Sequence, residues 1–187
     1  MMVSIIPYLK KINFLKFFLL LCFFSQQIFA GEISIKNISF KKNEKNSYLI
    51  FNHDINFSGD ALMALNKGIP ITIRMRLQIK EKNKFWFDKK LFTEDKFYQL
   101  RYRNLLNKYQ LNFHETKTIY FDSIDDIRSK LYNFGWNLGE INLSDSSEIH
   151  LIIELDHSKL PKPLLINLND ESWGMKAEVI KFYRELL

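Results

Sequence analysis

The chain has 187 residues, 27 Lys and Arg against 21 Asp and Glu, 47% apolar and 15% aromatic side chains, and only six Gly and four Pro. The apolar content excludes wholesale disorder, and the scarcity of Gly and Pro excludes collagen-like and linker-dominated chains. A chain of this length predicts one domain with a core of its own, since at about 150 residues folding buries roughly 68–70% of the surface.

Residues 1–30 carry Lys10, Lys11 and Lys16 and no acid; Phe17 to Phe24 is an unbroken apolar run, and Ala30 sits where a cut is expected. This three-part pattern predicts a Sec-type signal peptide over 1–30. The run is too short for a bilayer core, which takes about 20 apolar residues. The runner-up is an uncleaved anchor over Ile12–Ala30, which Asn13, Lys16, Ser25, Gln26 and Gln27 interrupt. Cys22 follows Leu21, not the small residue a lipoprotein site wants, and reads as part of the apolar run. Without these residues, Lys and Arg fall by three to 24 against 21 acids, a net charge of +3, and the one cysteine is gone. Residues 31–187 are then a single exported domain without disulfides, thiol catalysis or thiolate metal sites. With export and dispersed charge, nucleic acid is not an expected partner. Lys, Asn, Ile and Phe are in excess and Ala is rare, which resembles the codon bias of an A+T-rich genome, so basicity alone carries little functional weight.

Along the chain, Ile33–Ile35 and Ile38–Phe40 change phase between them, which predicts a strand with a bulge. Leu49, Phe51, Ile55 and Phe57 share one face of the next strand, with His53 between them. Asp60–Asn66 predicts a short helix stopped by Gly68 and Pro70. Ile71, Ile73, Met75, Leu77 and Ile79 alternate with Thr72, Arg74, Arg76, Gln78 and Lys80, the period of two of a strand with one buried and one wet face. Phe85-Trp86-Phe87 is apolar on both faces and is expected near the middle of a sheet. Tyr98, Leu100 and Tyr102 alternate with Gln99, Arg101 and Arg103; Ile149–Asp156 and Trp173–Val179 continue the pattern. One clear helix is predicted at about 123–134: Ser123 and Asp126 resemble a capping box, Ile124, Ile127, Leu131 and Phe134 share a face, and Gly135 is placed to end it. Six or more strands with one helix predict a mainly β fold, an antiparallel β-sandwich with immunoglobulin-like layering.

Candidate chemistry is sparse. His53-Asp54 and Asp156-His157 together offer two imidazoles and two carboxylates, but neighbours on a strand point to opposite faces, and no metal-ligand spacing such as HExxH occurs. His114 and His150 are the remaining two of the four histidines. No metal or cofactor is expected. No GxSxG, GxGxxG or GxxxxGK[ST] is present. The acid pairs Glu94-Asp95 and Asp170-Glu171 read as solvated turns. No catalytic residue is assigned, and an unrecognised hydrolase, with His53 and His157 its best candidates, ranks third among the functional readings. Four of the six arginines, Arg74, Arg76, Arg101 and Arg103, alternate on two strands opposite apolar faces. On one sheet they would form a surface able to grip an anionic lipid or peptide through forked hydrogen bonds; a merely solubilising polar face is the plainer reading. Asp156, Pro161 and Pro163 lie in a segment whose prolines favour extended backbone, either a rigid connection or a partner-docking loop.

Read together, ALMALNKG at Ala61–Gly68 before the long alternating strand, Phe85-Trp86-Phe87-Asp88, Leu100-Arg101-Tyr102 with Leu105, and LDHSKLPKPLL before Trp173 resemble the domain-of-unknown-function family 4390 over residues 33–185. The resemblance implies an exported β-rich domain of proteobacteria, without assigned catalytic residues and often encoded beside a membrane sensor kinase. The leading expectation is therefore a periplasmic, non-catalytic interaction module accessory to an inner-membrane sensor kinase. The alternative is a carrier of an anionic lipid or peptide on the arginine-bearing face; peripheral membrane contact fits either.

Overall fold

A computed structural model describes residues 31–43, 45–83, 85–113, 117–162 and 173–186. Its elements in chain order are β1 (Glu32–Lys42), β2 (Ser47–Asn56), α1 (Gly59–Asn66), β3 (Ile71–Glu81), β4 (Lys89–Arg103), β5 (Lys108–Phe113), β6 (Lys117–Phe121), α2 (Ile124–Tyr132), β7 (Asn133–Gly139), β8 (Ser147–Leu155) and β9 (Lys176–Phe182). All pairings are antiparallel. They build a three-stranded sheet, β1-β2-β7, and a six-stranded sheet, β6-β5-β4-β3-β8-β9. The result is the expected β-sandwich-like fold, with unequal layers and a second, shorter helix at the place where the sequence predicted one.

The core follows from side-chain alternation. Ile71, Ile73, Met75, Leu77 and Ile79 point inward from β3 and are fully buried, flanked by Tyr98 and Leu100 of β4 and Ile149, Leu151 and Ile153 of β8. From the small sheet, Leu49, Phe51 and Ile55 of β2 and Trp136 of β7 close over them. Each such aliphatic side chain contributes about 1.5–3 kcal/mol by leaving water. Ala61, Ala64 and Leu65 of α1 and Ile127 and Leu131 of α2 plug the open flanks. The free edge of β1 is covered at one point by the C-terminal turn, where Phe40 N donates to Leu186 O at 3.4 Å and the Phe40 and Tyr183 rings meet edge-on at 5.0 Å.

The bulge predicted in β1 is present: the register shifts between Lys36 and Ser39, and Asn37 takes φ +51°. The capping box of α2 is also present, with Ser123 Oγ accepting from Asp126 N at 3.1 Å and the Asp126 carboxylate accepting from Ser123 N at 3.2 Å. Two expectations are corrected. Gly135 does not terminate α2, which ends at Tyr132; Asn133 is already extended, and Phe134 and Trp136 pair across β2 with Phe51 and Leu49. Pairing with a partner strand and burial of Trp136 outweigh one more turn of helix. Nor does Phe85-Trp86-Phe87 lie in a sheet. The register Ile79↔Phe92 and Glu81↔Lys89 places it in the β3–β4 turn, with the three side chains 88%, 80% and 96% exposed.

Candidate functional site

The four arginines project from the outer face of the six-stranded sheet, Arg74 and Arg76 on β3 and Arg101 and Arg103 on β4, opposite the buried rows Ile73–Met75 and Leu100. Their surroundings divide them into two pairs. Arg74 bonds Glu154 of β8 through Nε at 3.0 Å and through Nη2, and Arg76 forks onto Asp95 of β4 with two bonds of 2.8 Å. The hydrogen bond from Arg76 holds the Asp95 carboxyl below its ordinary range. The alternation continues onto β9, where Glu178 accepts from His150 and Lys176 at 2.6 Å each; the Lys176 bond, then the His150 bond, lowers its pKa. This half of the face is a ladder of opposite charges that satisfies itself.

Arg101 and Arg103 have no carboxylate partner among the described residues. Arg101 Nε donates to Gly68 O at 3.2 Å, and Arg103 Nε to the Gln110 side chain. Arg101, Gln110 and Tyr120 form one cross-strand row over β4, β5 and β6. Arg101 and Tyr120 of that row line an open depression of about 410 Å³ together with Lys67, Arg103 and Leu105, and Gln110, on β5 between β4 and β6, is buried. Leu105, at the tip of the β4–β5 turn, is wholly exposed, and Tyr120 is 46% exposed. Gly68 shapes the rim: its φ of +83° is a conformation that side-chain-bearing residues rarely adopt. The arrangement joins two unneutralised guanidinium forks, an ammonium and an apolar margin, which suits a ligand with a carboxylate or phosphate beside apolar groups.

The other predicted residues have structural roles. Asp156 is buried and caps a single helical turn, accepting from Ser158 N at 3.1 Å and Ser158 Oγ at 2.6 Å, while its own N–H donates to Thr72 O at 2.8 Å. His157 Nε2 lies 2.9 Å from Trp173 O. Pro161 is exposed; Pro163, Asp170, Glu171 and His114 lie outside the described residues. Glu94 and Asp95 are not a solvated turn but neighbours in the middle of β4, pointing to opposite faces. Asp95 meets Arg76 outside; Glu94, on the inner side, accepts from Trp136 Nε1 at 2.6 Å, beside Lys96, whose Nζ sits 4.8 Å from the Trp136 ring centre. His53 is buried between the sheets and Asp54 turns outward to Arg128, 3.0 Å away, so the adjacent pair splits across the strand as period two requires. Among the described residues no three His, Cys, Asp or Glu side chains come together as metal ligands. Also among them, no helix is long and apolar enough to cross a membrane.

Sequence reasoning singled out Arg101 and Arg103 but not Gln110 and Tyr120, which join them through strand pairing, nor Lys67, which reaches the depression from the C-terminal end of α1. A detectable signal was Leu105-Leu106, an apolar pair between Asn104 and Asn107 where a hairpin turn is normally polar.

The family model described as "Domain of unknown function (DUF4390)" matches residues 30–182, so the chain belongs to that family. No curated protein and no solved structure matches it.

Proposed function

Taking the chain as a member of the DUF4390 family, we propose that it is an exported, non-catalytic interaction module of the periplasm. It acts as an accessory of an inner-membrane signalling protein such as a sensor kinase, and holds an acidic segment of that partner at the Arg101–Arg103 end of the large sheet. The observation that carries the reading is the contrast within one face: Arg74 and Arg76 are neutralised by Glu154 and Asp95, whereas Arg101 and Arg103 meet no carboxylate among the described residues. Unneutralised forks beside the exposed Leu105 and Tyr120 favour a peptide carboxylate followed by an apolar side chain. Export rests on the pattern of residues 1–30, and the kinase on the family resemblance.

The test places a photo-cross-linking residue at Leu105 or Tyr120 and identifies what is captured in living cells. An inner-membrane signalling protein, linked through an acidic segment and lost in R101E/R103E but retained in R74A, is the expected result. Capture of lipid alone, or capture that R101E/R103E leaves intact, overturns the reading; the former result transfers the surface to an anionic lipid.

A further inference from the structure

The β3–β4 turn lies at the opposite end of β4 from the arginine depression. β4 has fifteen residues, which separates the two ends by roughly 45 Å at about 3.3 Å per residue. The base of this turn is fixed. Lys82 N donates to Ser146 O at 3.0 Å, Lys82 Nζ reaches Asp88 at 2.9 Å and Glu148 at 3.3 Å, and Phe85 N donates to the Asn83 side chain at 3.2 Å. Beyond that base stand Phe85, Trp86 and Phe87, all at least 80% exposed, with no ring contact among the described residues. Lys89 and Lys90, exposed at the start of β4, flank them. Residues 80–90 contain five lysines against Glu81 and Asp88, a net charge of +3 that equals the net charge of all of residues 31–187.

We infer that this turn is a membrane-docking tip: Phe85, Trp86 and Phe87 enter the headgroup region of an anionic bilayer while Lys89 and Lys90 rest on its phosphates. Three consecutive aromatic rings on a braced, convex turn do not make the flat or concave patch that a protein partner packs against; a fluid interface closes around any shape. Trp and Phe beside Lys is the composition that interfaces favour, with rings at the headgroup level and ammonium groups drawn to negative lipid. Lys82 belongs to the brace, satisfied by two carboxylates, so the free charge at the tip is that of Lys89 and Lys90 among the described residues. Docked this way, the arginine depression stays in solution, open to a partner.

The fluorescence of the full chain isolates the tip, because Trp136 and Trp173 are buried and Trp86 is the exposed one of the three tryptophans. The chain is mixed with phosphatidylcholine vesicles with and without phosphatidylglycerol, and emission wavelength and iodide quenching are followed. The expected result is a blue shift and loss of quenching on the anionic vesicles, reversed by salt, absent in W86F, and requiring at least tenfold more lipid in K89E/K90E. Attachment through residues 1–30 cannot produce it, since they contain no tryptophan. R101E/R103E should leave it unchanged, which separates this inference from the partner reading above. An emission that stays water-like and quenchable on anionic vesicles at low salt overturns the inference, as does an equal shift on neutral vesicles or in K89E/K90E.

Discussion

His53 Nε2 lies 3.5 Å from the Tyr98 hydroxyl, and the two buried side chains tie β2 of the small sheet to β4 of the large one. The Phe51 and Phe134 rings pack beside the imidazole, and among the described residues His53 Nδ1 is buried without a hydrogen-bond partner. Burial therefore dominates its titration and lowers its pKa from 6.5 to about 4, opposed only by the neighbouring Asp54 charge. Burial likewise pushes the Tyr98 hydroxyl well above its ordinary pKa, so it stays protonated.

A pH dependence of stability follows. Between the folded pKa of about 4 and the unfolded value of 6.5 the unfolded chain binds the proton more readily. The stability linked to His53 is complete above pH 6.5 and is lost as pH falls towards 4, a decline of up to about 3 kcal/mol. Urea unfolding at stepped pH should show this decline in the wild type and a flatter profile in H53L. Equal slopes in the two proteins would contradict the assignment.

The Trp136–Glu94 bond makes a second prediction. The indole N–H donates to Glu94 at 2.6 Å from a fully buried ring, with Lys96 over that ring. W136F leaves a partly buried carboxylate short of its donor and a gap in the core, and should lower stability by about 2–4 kcal/mol. E94Q, which keeps an acceptor, should lower it by about 1 kcal/mol. A double-mutant cycle with no coupling between the two sites would show that the bond contributes nothing.

The arginines should separate by stability alone. Arg74 and Arg76 are half-buried in their ion pairs, at 31% and 35% side-chain exposure. Replacing either by Ala should lower stability by up to about 1 kcal/mol, with less effect at high salt. R101A and R103A should change it by less than about 0.5 kcal/mol. Thermal unfolding of the four variants measures the contrast, and similar losses in all four would refute it.

Gly31 has a packing reason to be glycine. A Cβ there would lie 2.5 Å from Met175 Sδ and 2.8 Å from the backbone N of Ser58. The thioether can turn aside, but Ser58 cannot, because its Oγ caps α1 by accepting from Ala61 N at 3.1 Å. G31A should destabilise the domain by about 1–3 kcal/mol, measured by urea midpoint; an unchanged midpoint would mean that the β2–α1 corner yields freely.

What was legible in the sequence is what obeys local rules. Period two along Ile71–Ile79 set both faces of β3, and therefore which side its arginines would take. The capping box of Ser123 and Asp126 and the phase change in β1 are local as well, and both are present. Phe85-Trp86-Phe87 was misread because an apolar triplet looks the same in a sheet centre and at a turn tip; only the pairing of Ile79 with Phe92 and Glu81 with Lys89 decides. Gly135 was misread because helix-ending glycines are recognised locally, whereas the strand that contains it exists only through its pairing with β2.

The sequence by itself determined the fold class, the alternating faces and the four arginines on one kind of surface, because a two-residue period and a cap are written in neighbouring residues. The tertiary structure alone decided which charges cancel. Arg74 found Glu154 eighty positions away and Arg76 found Asp95 nineteen away, while Arg101 and Arg103 were left beside Gly68 and Gln110. Strand order and register bring such partners together, and both are set by how the whole core packs.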